Sequence, residues 1–236
     1  MSEPEFGDIQ MHVVRPKEPV VGRVVESTPC LKGRSASFVR HVAIDVSGTP
    51  LAGTFRAGQS FGVIPHGENA KGKPHPVRLY SISAPTWGDD GEGNVLSTTC
   101  KRLIDEFSEE GSPKHDLFVG LCSNYLCDLK VGDEVLVSGP VGKRFLLPSE
   151  PEKHDYVFVA TGTGIAPFRG MVMELLEHPD GARESEVHLV IGVPYGTDLM
   201  YDAWFTGLAE KHDNFHYHTV ISRPEVGQRM YVDQYI

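Results

Sequence analysis

The sequence predicts two units in one chain, an antiparallel β-barrel or sandwich followed by a parallel α/β domain. Three observations carry this. Up to about residue 150 the apolar residues come in short alternating runs, separated by Gly, Pro and Asp clusters. After Pro148 they come as continuous runs alternating with helically spaced ones. The chain of 236 residues carries 25 glycines and 17 prolines, a turn-rich composition that favours short strands in the first part.

In order, residues 1–19 show no periodicity and hold Pro4, Pro16 and Pro19, so a mobile arm is expected there. Strands are expected at Val20–Glu26, Phe38–Val46, Ser60–Ile64, Val77–Ser83, Asn94–Thr99 and Asp133–Gly139. His66–Pro76 and Pro85–Gly93 read as surface loops, and Arg102–Glu110 as a short helix. The barrel unit is drawn over 20–150 and the α/β unit over 151–236, with the boundary in the charged stretch around Pro148 and Pro151. In the second unit Tyr156–Ala160 reads as a strand buried on both faces. Pro167–Glu177 reads as a helix, because Phe168, Met171, Val172, Leu175 and Leu176 share one side. Val187–Val193, Asp202–Lys211 and Phe215–Ser222 complete a strand–helix–strand–helix–strand order, the grammar of a parallel sheet.

Composition excludes several functions. The net charge of −10 argues against nucleic acid as a partner. Residues 151–236 hold 6 basic and 13 acidic residues, a balance of −7, so any anion bound there must be held by a few placed arginines. No apolar run reaches the roughly 20 residues of a membrane span. The acidic start MSEPEFGDIQ is neither a secretory signal nor a transit peptide, and a cytoplasmic protein is expected. Cys30, Cys100, Cys122 and Cys127 show no C-x-x-C spacing, so they are expected as free thiols rather than cluster or zinc ligands. His216 and His218 alternate on a predicted strand with no third ligand foreseen nearby, so no metal site is expected.

Three motifs suggest chemistry. Ala160–Pro167, A-T-G-T-G-I-A-P, follows a buried strand and opens a helix. Glycines there admit a ligand close to the backbone, and the helix start offers N–H groups to a phosphate. Alone, such a turn is equally a tight strand–helix connection. Ser222 and Arg223 end the third parallel strand, where open α/β sheets bind ligands, and Arg229, Met230 and Tyr231 follow. Two arginines, a hydroxyl and an aromatic ring suit a 2′-phosphorylated adenosine; alone, they are also ordinary solvated side chains. Arg78–Ser81, R-L-Y-S, offers a cation, a ring and a hydroxyl on one short strand, and by itself it is any strand with an outward arginine.

Taken together, the blocks resemble the ferredoxin–NADP reductase family. R-L-Y-S-I-S from Arg78 is similar to the family's flavin motif R-x-Y-S, and T-C-K-R-L from Thr99 to C-V-K-R-L. G-L-C-S-N-Y-L-C-D-L from Gly120 resembles G-V-C-S-N-F-L-C-D-L, and Gly139–Lys143 reads G-P-V-G-K. A-T-G-T-G-I-A-P-F-R resembles the nucleotide pyrophosphate loop, and Gly192–Pro194 with Leu199–Tyr201 resembles G-V-P-x-x-x-x-L-L-Y. Ser222, Arg223, Arg229 and Tyr231 resemble the 2′-phosphate site. The similarity is collinear over roughly residues 20–236.

The resemblance implies an antiparallel β-barrel FAD domain followed by a parallel α/β NADP-binding domain. It implies that Arg78 pairs with the FAD pyrophosphate, that Tyr80 stacks on the isoalloxazine, and that Ser81 bonds near flavin N5, where hydride arrives. Cys122, Ser123 and Asn124 would form a phosphate-side turn of neutral donors. Lys101 would bind phosphate of the incoming nucleotide or on the flavin's adenosine side, Thr161 and Gly162 would face the nucleotide pyrophosphate, and Thr163 belongs to the same cofactor-binding loop. Ser222, Arg223, Arg229 and Tyr231 would select NADPH over NADH. Leu79, Thr99, Leu121 and Pro194 fall within the same cofactor-binding blocks. The implied partner is ferredoxin, flavodoxin or another iron–sulfur acceptor on a separate chain, docking on basic residues such as Arg34, Arg40, Lys71 and Lys73. FAD is needed there because NADPH gives two electrons as hydride while ferredoxin takes them singly.

The sequence departs from the family in three places. Asp105 stands where an aromatic residue after K-R-L stacks on the FAD adenine, with Phe107 as a substitute ring. Thr99 and Cys100 stand where the family has cysteine and valine. The α/β domain is expected to be incomplete at its C-terminus, lacking the segment that carries the family's active-site cysteine, glutamate and terminal aromatic. Two other readings therefore stay open: the reductase component of an oxygenase system, and a non-catalytic nucleotide-binding fragment.

Overall fold

A computed structural model describes residues 4–33, 35, 37–107, 116–179, 184–224, 227 and 229–235. Its first part is a six-stranded antiparallel sheet made of β1 (Val20–Pro29), β2 (Val39–Asp45), β3 (Ser60–Ile64), β4 (Arg78–Ser81), β5 (Val95–Lys101) and β8 (Glu134–Val141). The strand order is β4-β3-β8-β1-β2-β5. The two outer strands curl towards each other. The Ser83 N–H donates to the Ser97 carbonyl at 2.8 Å, and the Thr98 hydroxyl donates to the Ser81 carbonyl at 2.8 Å. These bonds give edge groups partners and bend the sheet into a barrel. Inside lie Ile44, Leu51, Phe55, Phe61, Ile82 and Leu96. The helix α1 (Leu121–Asp128) closes one end with Cys122, Leu126 and Cys127.

The second part is a parallel sheet in the order β11-β10-β9, formed by β9 (Tyr156–Thr161), β10 (Val187–Val193) and β11 (Phe215–Ile221). Between the strands run α2 (Ala166–Leu176) and α3 (Asp202–Lys211), and α4 (Val232–Tyr235) follows β11. The spacing on α2 works as read: Phe168, Met171, Val172, Leu175 and Leu176 are all buried, against Phe158, Leu189, Ile191 and Phe205. By the two-residue period of a strand, the other face of β9 carries Val157 and Val159. These are exposed, so β9 is not buried on both faces as expected.

Three further expectations change. Residues 4–19 are not a free arm: Val14 is buried, His12 and Val14 bond to Pro140 and Gly139, and the Gln59 amide holds the Gln10 carbonyl. Over its described part, residues 102–107, the stretch Arg102–Glu110 is not a helix. β6 (Ile104–Phe107) pairs with β7 (Asp116–Val119) as an antiparallel ribbon, and residues 108–110 lie outside the described set. Ile104, Asp105 and Glu106 are all exposed, which suits a solvated ribbon better than an amphipathic helix with one buried side. Conversely, α1 forms where no helix was foreseen, because Leu126 and the two cysteines at spacings of four and five share one buried side.

A buried polar cluster joins the two sheets. Arg169 on α2 donates to the Asp89 carboxylate at 2.8 Å and to the Ser83 carbonyl at 2.9 Å. The Tyr201 hydroxyl, at the start of α3, meets His41 Nδ1 at 2.9 Å and the Thr99 hydroxyl at 2.6 Å. Burial alone would raise the Asp89 carboxyl; hydrogen bonds and charges from His41, Arg169 and Ser97 overcome it and hold the group below its ordinary value. Glu174 on α2 accepts from the Thr86 N–H at 2.7 Å and adds a second tie.

Candidate functional site

A cavity of about 480 Å³ opens where β4, the β6–β7 ribbon and the start of α1 meet. Its walls are Pro76, Arg78, Tyr80, Lys101, Leu103, Phe118, Val119 and Gly120–Ser123. Each element delivers its groups for a local reason. On β4 the two-residue period turns Arg78 and Tyr80 to one side. The Tyr80 ring packs against the barrel core. Burial, with the Cys100 and Cys122 sulfurs beside it, pushes its phenol well above its ordinary value, so it stays neutral.

The opposite wall is the N-terminus of α1. Gly120 caps it without a side-chain bond, and no acidic residue lies in the first turn. The backbone N–H groups there therefore remain available to an anion, reinforced by the helix dipole. A Cβ on Gly120 would sit 2.8 Å from the Ser123 Oγ and 2.9 Å from the Leu103 Cβ, so only glycine lets the ribbon approach this closely. Ser123 accepts from the Leu103 N–H at 3.2 Å. Asn124 donates to the Leu103 carbonyl at 2.9 Å and accepts from Arg102 at 2.8 Å. Burial raises the Cys122 thiol, which stays protonated as a neutral wall.

The structure thus brings together Arg78, Tyr80, Lys101, Leu121, Cys122 and Ser123 from the sequence-derived set. It leaves others outside the cavity. Leu79 and Ser81 occupy the alternate positions of β4. Thr99 is buried, with its hydroxyl held by Tyr201. Asn124 braces the first turn rather than lining the cavity. Sequence reasoning missed Pro76, Phe118 and Val119. Phe118 pairs in register with Asp105 across the β6–β7 ribbon, so a ring stands opposite the acid. The helix expected over 102–110 hid that pairing, and the Phe107 side chain lies outside the described residues.

The second group lies at the carboxyl ends of the parallel strands. Thr161 ends β9, and Gly162 takes φ +51 as the chain turns through Gly162–Ile165 into α2. That left-handed conformation favours glycine. The Ser222 N–H bonds to the Val193 carbonyl at 2.9 Å and the Arg223 N–H to the Pro194 carbonyl at 2.8 Å, so the ends of β10 and β11 stay side by side. Arg223 lies over the Tyr195 ring at 6.0 Å. Arg229 lies over the Tyr231 ring at 4.9 Å. Thr161, Gly162, Pro194, Ser222 and Arg223 share this edge, with Thr163 in the turn below.

The candidate docking residues separate. Arg40 is half-buried, with its guanidinium spent on Ser27. Lys71 and Lys73 are exposed on the loop held by Asn69. Arg34 lies outside the described residues. All four cysteines are free. No helix among the described residues is long and apolar enough to cross a membrane.

Comparison with known proteins fits this geometry. The family model for the oxidoreductase NAD-binding domain matches residues 158–236, the parallel sheet and its edge. Ferredoxin–NADP reductase of Spirulina is 36% identical over 97% of this chain and 78% of its own length. The chain belongs to the ferredoxin–NADP reductase family. The family's enzyme in Synechocystis is 38% identical over 98% of this chain. The chain spans only 55% of that relative and 61% of a chloroplast leaf isozyme of Arabidopsis thaliana. Among solved structures, the family member from Plasmodium falciparum with 2'P-AMP overlays with a TM-score of 0.76 at 22% identity, over 95% of this chain and 81% of its own.

Proposed function

We propose that the chain is an FAD-dependent oxidoreductase that takes hydride from NADPH and passes electrons to a one-electron carrier. Ferredoxin is the leading acceptor, because the relatives above are named for it. Flavodoxin, and iron–sulfur acceptors other than ferredoxin, fit the same chemistry. In this reading residues 20–150 hold FAD and 151–236 hold the nicotinamide nucleotide.

The observation that carries the proposal is the cavity itself. It sets a guanidinium, a lysine and an uncapped helix N-terminus around one space beside a neutral aromatic ring. That donor set fits a pyrophosphate joined to flat heterocycles. Arg78 and the first-turn N–H groups of α1 would hold the pyrophosphate, and Lys101 would add a cation at the rim. Tyr80 would orient a flavin ring in the cavity, and the family resemblance assigns Ser81, at the end of β4 and outside the cavity lining, to the ring's reactive edge. Phe118 supplies the ring missing at Asp105 and would stack on the adenine. When bound, FAD supplies a two-electron acceptor that releases electrons one at a time. At the other sheet, the Gly162 turn would approach the nucleotide pyrophosphate. Ser222, Arg223, Arg229 and Tyr231 would bind a 2′-phosphate, which NADH lacks. The four free thiols suit a reducing compartment such as the cytoplasm.

Anaerobic titration of the flavin-loaded chain with NADPH, followed by visible absorbance, tests this. Bleaching by NADPH and much less by NADH is expected. A yellow protein that NADPH leaves oxidised would favour the nucleotide-binding fragment over the reductase.

A further inference from the structure

The exposed face of the parallel sheet carries a second set of polar groups. Glu186 and His188 are two residues apart and so lie on one side of the strand entering β10. The parallel register sets His188 beside His216, and Val190 beside His218. Glu186, His188 and His216 each offer one ligand atom, and these atoms lie within 4.8 Å of one another. His216 Nε2 already meets the Glu186 carboxylate at 3.0 Å. Glu186 is exposed, and His188 and His216 are half-buried. The structure therefore corrects the expectation that the histidines of β11 have no third ligand nearby.

We infer that Glu186, His188 and His216 form a binding site for a zinc-class divalent cation on the open face of the parallel sheet. Two imidazoles and one carboxylate are a zinc ligand set that leaves a fourth position for water. Zinc bonds of about 2.0–2.1 Å place tetrahedral ligand atoms about 3.3 Å apart. Ligand atoms already within 4.8 Å would close by up to about 1.5 Å, and the His188 and His216 rings, stacked 4.4 Å apart, would turn so that one nitrogen of each faces the ion. His188 is further oriented by a contact of 3.3 Å between its Nδ1 and His218 Nε2. The Tyr235 hydroxyl holds the other nitrogen of His218 at 2.8 Å. Such outer contacts fix ring orientation at metal sites. The surrounding balance of −7 over residues 151–236 favours a cation. Imidazole ligands select zinc-class metals over magnesium, which prefers oxygen. The site shares no residue with the proposed cofactor groups, so it stands or falls apart from them.

The test is calorimetric titration of the metal-free, tag-free chain with zinc sulfate, with magnesium as the comparison. One zinc per chain and no magnesium heat are expected. His216→Gln and Glu186→Gln should each weaken zinc binding about tenfold or more. His12→Gln, exposed on the barrel side, should leave it unchanged. Melting curves in zinc-free buffer check that the variants fold. Histidine ring NMR of the unaltered chain gives a second reading, in which zinc should move the His188 and His216 signals first. Substoichiometric binding, unchanged affinity in both variants, or zinc shifts confined to other histidines would overturn the site.

Discussion

The barrel-side cavity and the carboxyl edge of the parallel sheet present two ways of preparing for a nucleotide. The cavity is concave and braced. Leu103, Ser123 and Asn124 bond to one another around Gly120, so the anion-facing turn of α1 is fixed before anything binds. The edge is open. Its two arginines, Arg223 and Arg229, both follow β11 and rest over the rings of Tyr195 and Tyr231. A braced site binds tightly because little ordering remains to be done; an open one suits a ligand that must come and go. This difference is the one that the proposed resident FAD and exchanging NADPH would need.

The largest way to break the comparison is to cut the joint between the two regions. Arg169→Leu strands the buried Asp89 carboxylate and should cost about 3–5 kcal/mol of stability in urea unfolding. Asp89 makes that joint pH-dependent. Its folded value lies below its unfolded value of about 3.9, so the linked stability is full above that pH and lost as pH falls through the folded value. The stability gap between the unaltered chain and Asp89→Asn should narrow on acidification below about pH 4. Next in size, Gly120→Val forces the ribbon away from α1, an overpacking cost of about 1–3 kcal/mol. It should weaken FAD binding while 2′-phospho-AMP binding, read by calorimetry, stays as it was. Third, Arg223→Ala should cut the preference for NADPH over NADH about tenfold, about 1.4 kcal/mol, with FAD affinity untouched. Smallest, Phe118→Ala should cost FAD binding about 0.5–1.5 kcal/mol of stacking beyond the area lost. An equal loss on FMN, which lacks the adenine, would remove Phe118 from the adenine end.

Period-two and period-3.6 patterns were enough to read most strands and α2, because one face of each is buried. They failed on β6 and α1. Ile104, Asp105 and Glu106 are all exposed and so impose no period, and the helix start at Gly120 has no side-chain cap to announce it. Arg78, Tyr80 and Lys101 were legible as cations and a ring in blocks that resemble a known family. Phe118 was not, because its place opposite Asp105 exists only once β6 and β7 pair. Arg169 was read with the nucleotide loop, yet it reaches across to Asp89 on the barrel side. The Glu186–His188–His216 group was hidden for a similar reason: residues nearly thirty apart become neighbours only through the parallel register.

The central claim is that the cavity beside Arg78, Tyr80 and the start of α1 holds FAD. Quenching of FAD fluorescence on titration with the chain tests it most directly, with Arg78→Ala and riboflavin as comparisons. Saturation at one FAD per chain is expected, with weaker binding by about tenfold or more in Arg78→Ala and for riboflavin, which lacks the pyrophosphate. No saturable quenching, or equal affinity for FAD in Arg78→Ala, would contradict it.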